Sequence, residues 1–213
     1  MLALTVWLGV WQLQRLAWKT GLLAELDRGE AAAPIALPAN PPPFAKVEAT
    51  GRLRDDLRAL YGSEVRSTAG GPAIGAQLIS PLERPGADPV LVDRGWVPQG
   101  ASLPPSPDPV RIVGYVRPPE APIRFGAADD PAARRFYALD PAAIGAALGL
   151  PRVAPFTLVA MGPRDAVPQP VQALPRPVNN HLSYALTWFG LAASLLGVFA
   201  VYARRMLASH DRL

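Results

Sequence analysis

Proline placement constrains this chain more than any other feature: all 26 prolines of its 213 residues lie between Pro34 and Pro177. A proline inside a helix removes one backbone hydrogen bond and drives its ring into the preceding turn. Long helices are therefore permitted at the two ends and discouraged in the middle. The chain divides into two proline-free flanks around a proline-dense centre.

The C-terminal flank carries the plainest physical signal. Residues 182–203 contain no charge and are rich in Leu, Ala, Val and Phe. At about 1.5 Å of rise per residue, such a helix crosses a hydrocarbon core of roughly 30 Å. It stops at Arg204-Arg205, ahead of the tail MLASHDRL. Positive charge beside a span marks its cytoplasmic end, so the centre is expected on the extracytoplasmic side.

The N-terminal flank, MLALTVWLGVWQLQRLAWK, is apolar over residues 1–10 and mixed thereafter. That falls short of the roughly 20 residues a span requires. It has neither the basic lead nor the small-residue cleavage site of a signal peptide. Trp7, Trp11 and Trp18 share a stripe at helical spacing, and Arg15 and Lys19 are placed to reach lipid head groups. The flank reads as the second half of a membrane helix leaving the bilayer, its true start lying upstream or the helix being unusually short. The expected organisation is a first transmembrane helix at 1–19, an extracytoplasmic domain at 20–178, a second transmembrane helix with a polar entry at 179–203, and a basic cytoplasmic tail at 204–213.

Within the centre, a helical continuation through Arg28 is followed by APIALPANPPP, extended by its own stereochemistry. Short β-like runs separated by turn signals follow, at 44–53, 57–65, 74–80, 89–97, 110–117, 135–139 and 155–161. One helix interrupts them, with Asp140 as its cap and Pro141 in its first turn, ending before Pro151. The fold class is thus a mainly-β (α+β) domain, an antiparallel barrel or curled sheet with one helix, between two membrane helices.

Composition removes several functions. There is no cysteine, so disulfides, thiolate zinc sites, iron–sulfur clusters and c-type haem attachment are excluded. The net charge of +4 comes from scattered arginines and only two lysines, Lys19 and Lys46, without the basic patch of a nucleic-acid binder. Catalytic signatures are thin. The two histidines, His181 and His210, are expected on opposite sides of a bilayer, and neither accompanies a triad. Asp55-Asp56 and Asp129-Asp130 are adjacent, and neighbours on an extended strand face opposite ways, which makes them poor acid–base pairs. The chain is read as a non-enzyme.

Two stretches remain. VDRGWVP, at 92–98, offers a guanidinium, a flexible point and a large aromatic surface. As a functional element, Arg94, Gly95, Trp96 and Pro98 form a recognition surface or lid. As a structural one, favoured here, Gly95 is a β-bulge, Trp96 is core and Arg94 sits in an ion pair. In PVNNHLSYALTWFG, His181, Tyr184 and Trp188 share a broad helix face with Leu195, Phe199 and Tyr202. Gly190, Ser194 and Gly197 share the other face, with Ala193 beside them, a small-residue surface suited to packing on the N-terminal helix near Gly9. Residues Asn179, Asn180 and His181 read either as a helix cap in the head-group region, which physics alone favours, or as the entry to a metal or haem site with His181 as axial ligand.

LGVWQLQRLAWK, DRGWVP and NNHLSYALTWF together resemble the surfeit-locus (Surf/Shy) family of cytochrome c oxidase assembly proteins, in that family's order and spacing. The resemblance implies two membrane helices around a periplasmic or intermembrane-space domain. It implies maturation of the haem-copper oxidase catalytic subunit through handling of haem A, with the haem A synthesis machinery and membrane lipid as further partners. It makes His181 the candidate haem ligand, with Trp188 and Tyr184 along the same surface. Gly9, Trp11, Gln12 and Arg15 match the first signature, and Arg94, Gly95, Trp96 and Pro98 the second. The alternative is a structural module that stabilises an oxidase assembly intermediate without binding cofactor.

Overall fold

The computed structural model describes residues 1–68, 70–121 and 126–210, with side chains through 207. It contains two compact units, Gly29–Leu174 and a second made of Met1–Arg28 with Pro175–Leu213.

In the first unit the elements run β1 (Ile35–Ala36), β2 (Lys46–Leu53), β3 (Ala59–Thr68), β4 (Gly71–Arg84), β5 (Ala87–Pro98), β6 (Val110–Arg117), β7 (Arg135–Phe136), α2 (Pro141–Ala147) and β8 (Thr157–Ala160). One sheet joins them in the order β1-β2-β6-β8-β5-β4-β3-β7, and β2 pairs again with β4. That second pairing, Arg52 with Glu83 and Leu53 with Leu82, closes β2, β6, β8, β5 and β4 into a ring. Period-two alternation in β2 turns Val47, Ala49 and Leu53 into it, where they meet Leu82, Val90, Val92, Val116 and Leu158. A second apolar layer lies on the outer face. There Ala59, Ile79 and Leu91 carry Ile144 and Leu148 of the α2 segment, with Phe136 and Leu139 between. The Asp140 carboxylate accepts from Ala142 N at 2.9 Å and Pro141 opens the helix, the cap expected from sequence.

Each of the seven expected runs contains a strand, but three readings need correction. The sheet is mixed, not antiparallel: β1–β2, β3–β7 and β5–β8 run parallel. Parallel neighbours need a long crossover, and the chain between β5 and β8, including α2, supplies one. The run at 135–139 shortens to the two residues of β7. The proline-rich lead, expected to be extended but not counted among the β-like runs, contains β1, whose Ile35 and Ala36 pair with Val47 and Glu48. Prolines that hold the backbone extended are compatible with an edge strand.

The second unit contains α1 (Leu2–Ala31) and α3 (His181–His210). Within α3, His181–Leu207 has a mean hydropathy of 1.8 and is long and apolar enough to cross a membrane. Helix α1 is continuous, but Arg15, Lys19 and the acidic residues beyond interrupt its apolar character. Among the described residues one helix passes the membrane test. The last three residues of the expected tail, 211–213, and the His210 side chain lie outside the described residues.

Candidate functional site

The two helices form a hairpin with a defined register. Along α1, Thr5, Gly9, Gln12, Leu16, Lys19, Leu23 and Leu26 are buried or half-buried, spaced alternately four and three apart. That is the seam of a helix packed along a partner at a shallow angle. The partner face on α3 carries Ala185 and Ala192, both buried, and the half-buried Phe189. A Cβ on Gly9 would lie 2.7 Å from the Phe189 ring, so the glycine is the notch that receives it. Nearer the loop, Lys19 Nζ donates to Val178 O. Asp27 and Arg176 form an ion pair at 2.7 Å.

This register corrects the expected packing face. A Cβ built on Gly190 or Gly197 meets nothing within 4 Å, and Ser194 is exposed. The small residues that face α1 are Ala185 and Ala192. The fit of Phe189 into Gly9 selects the face, a shape match that a count of small residues misses.

Between the notch and the loop, His181 Nδ1 lies 2.7 Å from Gln12 Oε1. With the amide oxygen facing the ring, the tautomer that satisfies the contact is the one in which Nδ1 donates, since an amide oxygen only accepts. In a neutral imidazole the lone pair then sits on Nε2. A ring held this way, with one nitrogen donating to a fixed oxygen, is the arrangement that orients metal-ligating histidines. His181 and Trp188 are half-buried, while Tyr184 is 54% exposed. Leu195, Phe199 and Tyr202 are exposed further along.

The asparagines do not supply the expected side-chain cap. Asn180 accepts through its backbone oxygen, from Ser183 Oγ at 2.8 Å and Tyr184 N at 3.3 Å. The Asn179 Oδ1 is buried without a hydrogen-bond partner among the described residues. On the outer side of α1, the Arg15 guanidinium lies 6.0 Å from the Trp11 ring and 4.7 Å from the Trp18 ring. Cation–π contact thus makes one ladder of the tryptophan stripe.

In the β unit, VDRGWVP follows the structural reading. The β4–β5 register slips between Gln77/Trp96 and Ile79/Asp93, a bulge holding Arg94 and Gly95. Gly95 has φ +116°, and a Cβ there would stand 2.1 Å from Gln169 O. Trp96 is 5% exposed, exchanges backbone hydrogen bonds with Gln169 at 2.8 Å, and donates Nε1–H to Glu64 O at 3.2 Å. Arg94 donates to Asp55 at 2.7 Å and to Ser106 Oγ at 2.9 Å. Burial pushes the Asp55 carboxyl up, but the Ser106 hydrogen bonds and the Arg94 charge outweigh it and hold the group below its ordinary range. Pro98 ends β5. Beside the bulge, Asp93 is 3% exposed and accepts from Gly95 N at 3.1 Å. Burial pushes its carboxyl up to about 6, against that hydrogen bond and the charges of Arg117 and Arg66.

A model of the SURF1 family matches residues 1–193, covering α1, the ring, the bulge and the first part of α3. The chain belongs to the SURF1 family. A SURF1-like protein of Monosiga brevicollis is 30% identical, over 94% of this chain and 84% of the relative. One from Rickettsia bellii is 29% identical, over 93% of this chain and 86% of the relative. Human Surfeit locus protein 1 is 28% identical, over 88% of this chain and 70% of the relative.

The structure of this SURF1-family chain joins Gln12 and His181, which the sequence placed in separate motifs 169 positions apart. Sequence reasoning missed Phe189, Gln169 and Asp93 as participants. The alternating four–three spacing from Thr5 to Leu26 was the signal for the seam; nothing local marks Gln169 as the partner of Gly95.

Proposed function

We propose that this chain is a membrane-anchored, non-enzymatic assembly factor for haem-copper cytochrome c oxidase. It holds haem A through His181 and assists delivery to, or retention in, the catalytic subunit. Helices α1 and α3 both insert in the bacterial inner membrane, the β unit lies in the periplasm, and Arg204-Arg205 stay cytoplasmic. Haem A synthesis supplies the cargo.

The observation that supports this reading is the Gln12–His181 hydrogen bond. With Nδ1 donating to Gln12, Nε2 keeps its lone pair, so the residues present fit an imidazole that would ligate the haem iron. Trp188 supplies half-buried aromatic surface on the same helix, seven residues on. Family membership and the three-motif resemblance supply the oxidase context. When bound, haem A offers an iron that takes imidazole as a ligand. Gln12 holds the ring orientation and its protonation at Nδ1.

The test is haem A occupancy of Gln12→Ala in the full chain, purified in detergent from cells making haem A. Loss of a hydrogen-bonded orienting partner costs ~10–100-fold in affinity. Equal occupancy in wild type and Gln12→Ala would remove the support.

The second reading, an interaction module without cofactor, draws on the open face at Gly190 and Gly197. It expects oxidase-subunit co-purification that survives His181→Ala and fails when leucine replaces both glycines. The haem reading expects the subunit to be recovered without haem A in His181→Ala.

A further inference from the structure

On the face of the β unit opposite α2, the ring opens into a small cavity where β3 and β4 run beyond it. Ala59 and Ile79 point to α2, so their neighbours Leu60 and Leu78, paired across the strands, point the other way. Leu60, Leu78 and Val97 floor a cavity of about 220 Å³ flanked by Ile74 and Leu103. At roughly 30 Å³ for each water-sized group, it takes about seven methylenes.

Two guanidinium groups, Arg58 and Arg135, line its rim. Arg58 shares its carboxylate partner with a second arginine. Arg58 lies 3.3 Å from Asp55, but the same carboxylate oxygen already accepts from Arg94 at 2.7 Å and from Ser106 Oγ at 3.1 Å. One carboxylate thus serves two arginines. Arg135 donates Nε–H to the neutral Tyr137 Oη at 3.1 Å and lies 5.9 Å from that ring.

An apolar floor and a rim carrying two arginines share one complement. We propose that this cavity binds the carboxylate of a short aliphatic chain, its alkyl part on Leu60, Leu78 and Val97 and its carboxylate between Arg58 and Arg135. Planar guanidinium groups suit carboxylate geometry, and the apolar body supplies area burial. The site shares no residue with the Gln12–His181 pair.

The test uses the full chain in nanodiscs with isotope-labelled isoleucine methyls, titrated with octanoate, octanol and octylammonium. Octanoate is expected to shift the Ile74 methyl saturably while leaving Ile144, on the buried face of α2, unmoved. Octanol and octylammonium are expected to bind at least tenfold more weakly. Arg58→Gln and Arg135→Gln are each expected to weaken octanoate at least tenfold, with the Ile144 signal confirming the fold. An Ile74 methyl that does not respond, an equal response to octanol, or octanoate binding unchanged in both variants would overturn the proposal.

Discussion

Asp93 is the residue whose environment makes the most direct claim on solution behaviour. Its folded carboxyl is raised from 3.8 to about 6 by burial. Between those values the folded protein binds more protons than the unfolded chain, so stability falls as pH rises through that window. The cost is complete above about pH 6 and, at two pKa units, reaches at most about 3 kcal/mol. Asp55 and Asp56 act oppositely: both are held below the ordinary range, and their contribution fades as pH falls below about 4. Melting curves are therefore expected to show the β unit less stable at pH 7.5 than at pH 5. Asp93→Asn should flatten that fall; an equal fall in the variant would assign it to another group. Gly95 makes a steric claim at the same bulge. Its φ of +116° and the 2.1 Å approach of Gln169 O leave no room for a side chain. Gly95→Ala is expected to cost more than about 3 kcal/mol of unfolding free energy in denaturant melts. A loss below about 1 kcal/mol would show that the 169–170 segment yields easily.

At the scale of elements, Gly9 and Phe189 set the register of α1 on α3. Gly9→Leu should push the helices apart and lower the temperature at which detergent-solubilised protein loses helical circular dichroism. Phe189→Ala in the same chain should recover most of that loss, because it removes the ring the new side chain meets. Additive losses in the double variant would mean the two residues do not share a contact. What the sequence revealed of these elements follows the range of the forces involved. The cap at Asp140, the turns and the period-two strands are local, and they were legible. The alternating spacing along α1 was visible as a pattern, but its partner face on α3 was not. Three helical residues, Ala185, Phe189 and Ala192, outcompeted the more conspicuous Gly190, Ser194 and Gly197 because shape at one notch decides the match. The parallel pairing of β5 with β8 depends on where a long crossover returns, which no local residue encodes.

At the scale of the whole molecule, a closed β-ring unit carries the DRGWVP stretch and a helical hairpin carries the stretches around Gln12 and His181. The DRGWVP motif proves to be an architectural bulge, its arginine in an ion pair and its tryptophan in the core. The histidine motif is tied to the N-terminal one, because Gln12 from the opposite end of the chain hydrogen-bonds the His181 ring. That pairing was out of reach of either motif alone: it needs the hairpin. The central claim, that His181 holds haem A, is tested most directly by the visible absorption spectrum of wild type and His181→Ala purified from cells making haem A. The wild type is expected to carry a haem A band that falls at least tenfold in His181→Ala, while both proteins melt alike. The same band at the same occupancy in both would contradict it.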